Sequence, residues 1–168
     1  VDRHGSNCIK WDAQSEMYGE EGLLPLWVAD MDFQAPSCVI DALSDYVHTG
    51  VFGYYHVPDS YYQAFIDWES KYHSYDVKKE WIRFSPGVVS GFHWIVNFMT
   101  NPGDAVLILT PVYYPFHRAI QNNGRKMIAS ELVCTEGRYT IDFHDFEQKI
   151  IDHNVSLFIL CSPHNPVG

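Results

Sequence analysis

Three short stretches hold residue types that suit one planar, phosphorylated ligand. The first is Ser85-Pro86-Gly87-Val88-Val89-Ser90-Gly91, where a strand pattern gives way to a helix pattern. Small residues there let backbone N–H groups converge at a helix N-terminus, which carries about half a positive charge. The stretch has no lysine, so it is not a Walker loop; alone, it is also ordinary turn chemistry. The second is Thr110-Pro111-Val112-Tyr113-Tyr114-Pro115-Phe116, which follows an apolar run. A tyrosine leaving a buried strand can stack on a flat ligand, or it can pack in the core. The third is Ser162-Pro163-His164-Asn165-Pro166-Val167-Gly168, which presents Asn165 between two prolines. An Asn-Pro turn by itself is only a turn. In an open α/β sheet, however, strand ends share one edge, and ligands bind there.

The elements that must position these stretches alternate in type. Pro36 starts a helix, with Val39, Ile40, Leu43, Tyr46 and Val47 at helical spacing and Gly50 ending it. Asp59 or Ser60 caps a second helix. From residue 81 the order is strand (Trp81 to Phe84), helix (Gly87 to about Met99), then a strand over Ala105 to Leu109. A helix from Tyr114 to Asn122, a strand from Lys126 to Ala129 and a hairpin around Glu136 to Tyr139 come next. A helix over Phe143 to Ile151 and a strand over Val155 to Cys161 complete the pattern. Unbroken apolar runs such as Ala105 to Leu109 are those buried on both faces of a parallel sheet. The predicted class is therefore α/β, a three-layer sandwich around a mainly parallel sheet. Residues 1–35 show no clear periodicity.

Composition narrows the function. The 168 residues allow one domain with a real core. A net charge of −10 repels nucleic acid and anionic lipid. A phosphate can still bind such a chain where backbone N–H groups form the site. No apolar run nears the roughly 20 residues of a membrane span, and no signal peptide is expected from the polar N-terminus. Cys8, Cys38, Cys134 and Cys161 are scattered and read as free thiols of a cytoplasmic protein. The nine histidines form no metal-ligand spacing, so no metal site is expected. Asp30 and Asp32 read equally as loop or capping carboxylates and as ligand-side groups.

Longer motifs carry a resemblance. Lys10-Trp11-Asp12, Trp27-Val28-Ala29-Asp30-Met31-Asp32-Phe33, Phe52-Gly53-Tyr54, Ser85 to Val89, Thr110 to Tyr113 and Ser162 to Pro166 span the whole chain. Together they resemble the C–S lyase branch of the class I/II aminotransferases, the MalY/PatB type of cystathionine β-lyase. These are fold-type I pyridoxal-phosphate enzymes. The resemblance implies a large cofactor-binding domain over residues 51–168 and a small-domain segment over residues 1–50. It implies that Val88 and Val89 give N–H groups to the cofactor phosphate, that Tyr113 stacks on the pyridine ring and that Asn165 bonds the ring hydroxyl oxygen. Tyr54 would reach the phosphate in the neighbouring subunit of a homodimer. Ala29 and Asp30 would line the substrate side. The implied reaction is β-elimination from cystathionine or a cysteine S-conjugate, giving a thiol, pyruvate and ammonia. An aminotransferase of the same fold is one alternative, and a non-catalytic interaction domain is another. Lys10, Lys71, Lys78, Lys79, Lys126 and Lys149 match no Schiff-base lysine motif, so no catalytic residue is assigned and the chain alone is expected not to turn over.

Overall fold

The computed structural model describes residues 1–168. Val1–His56 and Val57–Gly168 form two compact units. In the first, α1 (Ile9–Asp12) and α2 (Gln14–Tyr18) lead into irregular chain and then α3 (Ser37–His48). Two helices this short gain little from hydrogen-bond propagation, so tertiary bonds must hold them. Buried Gln14 does so, accepting from Leu23 N at 2.9 Å and donating to Leu23 O at 3.1 Å.

The second unit opens with α4 (Asp59–His73), a 3-10 turn (Lys79–Trp81) and α5 (Val88–Met99). It continues as β1 (Ala105–Thr110), α6 (Pro115–Asn122), β2 (Lys126–Glu131), β3 (Val133–Thr135) and β4 (Arg138–Thr140). The last elements are α7 (Phe143–His153) and β5 (Val155–Ile159). Strands β2, β1 and β5 form a parallel sheet in that order, while β3 and β4 make the expected antiparallel hairpin. Side chains of β1 alternate between two cores. Ala105 and Leu107 meet Ile128 and are covered by Phe146 and Ile150 of α7. Val106 and Ile108 meet Ile120 of α6, with Phe116 alongside. Helices therefore lie on both faces of the sheet, which is the three-layer arrangement read from the apolar run.

Three readings differ from the pattern. Neither Asp59 nor Ser60 caps the second helix: Pro58 holds the cap position of α4, with no side-chain cap, and Asp59 is already the first helical residue. Trp81 to Phe84 is not a strand. Its first residue closes the 3-10 turn, and the Arg83 guanidinium bonds Glu80 O (2.7 Å) and Ile82 O (2.8 Å). Those carbonyls are satisfied locally, so four alternating residues are not drawn into a ladder. β5 ends at Ile159 rather than Cys161, because Cys161 already belongs to the following turn: its Sγ accepts from Asn165 N at 3.4 Å. No helix is long and apolar enough to cross a membrane.

The C-terminus of α5 is closed by a side chain from the start of β2. Buried Arg125 donates to Thr100 Oγ1 (2.8 Å), Asn97 O (3.1 Å), Thr100 O and Asn123 O. A cation at a helix C-terminus meets the orphan carbonyls and the negative end of the dipole. Arg125→Ala is expected to cost about 2–4 kcal/mol, since it strands buried acceptors. Urea unfolding checks this, and a loss under about 0.5 kcal/mol, the range of an ordinary surface change, would contradict it.

Candidate functional site

α5 begins with an open N-terminus. Gly87 sits at φ 136°, ψ 144°, a conformation close to glycine-only, and no side chain caps the helix. The first backbone bond into the helix runs from Gly91 N to Gly87 O at 3.1 Å, so the N–H groups of Val88, Val89 and Ser90 have no partner. Val88 is exposed, which leaves these donors reachable. Ser85 Oγ donates to Gly87 O at 2.8 Å and fixes the approach to the turn.

An aromatic contact chain connects this helix to Tyr113. Phe92, one turn into α5, meets Phe116 edge-on at 4.8 Å between ring centroids. Phe116 meets Tyr113 edge-on at 6.0 Å. Tyr113 is half-buried in the loop after β1 and makes no hydrogen bond through its hydroxyl. Neighbouring Tyr114 is exposed, with the Arg118 guanidinium 4.9 Å from its ring centroid.

Asn165 is exposed in the turn after β5, and its side-chain amide makes no hydrogen bond within the chain. The turn is tied to the loop after β1 by one bond, from His164 Nε2 to Pro111 O at 2.9 Å. Because β1 and β5 are adjacent and parallel, both loops leave the same edge of the sheet. The second unit thus brings Tyr113 and Asn165 to one edge and links Tyr113 through two phenylalanines to the α5 N-terminus.

Tyr54, Ala29 and Asp30 belong to the first unit. Tyr54 is fully exposed and Ala29 is exposed. Asp30 and Asp32 lie in a compact ionic cluster. Arg3 Nη1 reaches Asp30 Oδ2 (2.5 Å) and Asp32 Oδ1 (3.0 Å), while Lys10 Nζ reaches Asp32 Oδ2 and Asp30 O, both at 2.8 Å. Trp11 Nε1 also donates to Asp32 Oδ1 at 3.0 Å. The hydrogen bond from Lys10, then those from Trp11 and Arg3, hold the Asp32 carboxyl well below the usual carboxylate range. Asp30 Oδ1 is buried and has no hydrogen-bond partner. Sequence reasoning singled out Lys10, Trp11 and Asp32 as motif residues but not their contact. The partners lie 22 positions apart, and no periodicity signals the contact. His164 and Phe92 were likewise missed as linking groups.

With this geometry in place, comparison places the chain among known proteins. Residues 22–168 match the class I and II aminotransferases, and the chain belongs to that family. It is similar to cystathionine beta-lyase PatB of Bacillus subtilis, at 42% identity over 167 residues, covering 99% of this chain and 43% of that protein. Among solved structures it resembles cystalysin of Treponema denticola, which contains a pyridoxal 5'-phosphate cofactor, at TM-score 0.89 and 40% identity. It also resembles the PLP-bound C–S lyase of Staphylococcus hominis, at TM-score 0.90 and 34% identity. Each structural match covers 100% of this chain and 43% of the other. The chain therefore spans less than half the length of these relatives.

Two outcomes test this geometry. Gly87→Ala is expected to cost about 1–3 kcal/mol through backbone strain alone, as no atom lies within 4 Å of the added Cβ. A variant as stable as the parent in urea would contradict that backbone angle. Asp32 has a depressed folded pKa, so its stabilising contribution is present above about pH 4 and is lost as pH falls through the folded value. The Trp11 indole N–H resonance reports on it and should titrate well below about pH 4, where a free carboxyl titrates. A midpoint near pH 4 would dissolve the cluster.

Proposed function

We propose that the whole protein is a pyridoxal 5'-phosphate-dependent carbon–sulfur lyase. It cleaves cystathionine or another cysteine S-conjugate to a thiol, pyruvate and ammonia. The observation that carries this reading is the edge where the Tyr113 loop and the Asn165 turn are bonded together, in a chain that resembles C–S lyases along its full length. The residues present suit the cofactor. Unpaired N–H groups at a helix N-terminus match a phosphate, an aromatic face matches a pyridine ring, and an unengaged amide matches a ring oxygen.

In this reading the Val88 and Val89 N–H groups hold the phosphate. The Tyr113 ring lies against the pyridine, and the Asn165 amide donates to the ring hydroxyl oxygen. Ala29 and Asp30 border the substrate side, within a segment whose shape the Arg3–Lys10–Asp32 cluster fixes. When bound, the cofactor withdraws electrons from the amino-acid substrate so that its Cα proton and Cβ–S bond can be lost. The contribution of this chain would be orientation, with Tyr113 and Asn165 holding the ring and the α5 N–H groups holding the phosphate. Residues 51–168 form the front part of the large domain and residues 1–50 contribute to the small one. The protein is a cytoplasmic homodimer in which Tyr54 serves the partner's phosphate site; a two-fold axis makes that reach reciprocal.

The test is the product formed by the whole protein from cystathionine. Pyruvate and ammonia should accumulate with no keto acid added. Turnover that requires a keto acid acceptor would assign the protein to the aminotransferases instead.

A further inference from the structure

We propose that His164 is a positioning residue whose ring sets the spacing between Tyr113 and Asn165. The inference rests on the reading that these two residues meet the cofactor ring. The segments that carry them lie far apart in sequence, and the bond from His164 Nε2 to Pro111 O spans 53 positions. No other hydrogen bond joins the Pro111–Tyr114 loop to the turn over residues 160–168. Each segment is otherwise closed on its own side. Leu132 N donates to Thr110 O at 2.7 Å, which secures the end of β1 to the residue after β2, just before Pro111. In the other segment Gly168 N takes His164 O at 2.6 Å and Asn165 N takes Cys161 Sγ at 3.4 Å, so the turn is folded around His164. Pro111 has no N–H, so its carbonyl is the one backbone polar group it can offer. A carbonyl only accepts, so Nε2 carries the proton and donates. Asn165 is the next residue after His164, and Tyr113 lies two residues after Pro111. Moving the imidazole therefore moves both ring contacts together.

The test uses the 168-residue chain with two probes. Pyridoxamine 5'-phosphate has the ring and the phosphate but no aldehyde to react with surface lysines. Inorganic phosphate reports on the α5 N-terminus alone. His164→Ala is expected to weaken pyridoxamine 5'-phosphate binding on the order of tenfold, the scale of one lost hydrogen bond with its ordering. Phosphate-induced shifts of the Val88 and Val89 amide resonances should stay at parental values. His164→Gln places an N–H donor at similar reach and should recover most of the lost affinity. Parental affinity in His164→Ala would overturn the proposal. So would failure of a folded His164→Gln to recover, or equal loss of both probes. A parent chain that takes phosphate but not pyridoxamine 5'-phosphate would instead overturn the cofactor reading on which the proposal rests.

Discussion

The second unit depends on the burial of one strand on every side. Residues Ala105 to Leu109 are at most 5% exposed, and Val106, Leu107 and Ile108 are fully buried. Burying each large apolar side chain contributes roughly 1.5–3 kcal/mol, more than a typical net hydrogen bond. The backbone polar groups of such a strand can only be satisfied by strands on both edges. β2 and β5 supply them in parallel register, Leu107 opposite Ile128 on one side and Phe158 on the other. Parallel pairing then requires crossovers, and α6 and α7 provide them on opposite faces. One register irregularity next to Ala105 lets Val155 and Phe158 share the α7 face while Leu157 and Ile159 take the other.

That constraint decides where ligand chemistry can be. With all three strands pointing one way, every loop that follows a strand emerges at one edge, the edge where ligands bind in open α/β sheets. The chain is strongly acidic, so an anion must be met by something other than a field of basic side chains. A helix N-terminus solves this locally, because its unpaired N–H groups act within the first turn while distant carboxylates are screened beyond about 10 Å at moderate salt. No side chain caps α5, so its first donors stay open, as they do on most helices of this chain. A serine or aspartate there would satisfy the same donors from within.

The fold was legible where burial alone dictates structure. The apolar run at 105–109 and the turn residues around 136–137 each carry a local signal. Trp81 to Phe84 misled because alternation over four residues does not reveal that Arg83 satisfies the nearby carbonyls. The ligand-type residues Tyr113 and Asn165 were legible from their place after strand patterns. The bonds that relate them were not, because a histidine in an Asn-Pro turn says nothing about a carbonyl 53 positions earlier. The two short helices at residues 9–18 were invisible for a related reason. Gln14, Lys10 and Asp32 hold that region through long-range polar bonds, which leave no period in the sequence.

The two units hold their irregular segments by different physics. In the first, two cations and two carboxylates neutralise one another around Asp30 and Asp32, so that segment is held by charge and loses support when the carboxylates are protonated. In the second, Lys79 of the 3-10 turn does pair with Asp59, but the ties beside the sheet are donors on carbonyl oxygens: His164 to Pro111, Arg125 to the end of α5, and Leu132 to Thr110. Carbonyl acceptors do not titrate, and none of these bonds is an ion pair that salt would screen. On the proposed reading, loops that offer a ring contact and an amide at a constant spacing gain from that insensitivity. A ligand that itself brings a multiply charged phosphate to the same edge would disturb an ionic latch, because it would compete for the cation. On the proposed reading, a tie to a carbonyl leaves the phosphate to the α5 donors and the spacing to the sheet edge.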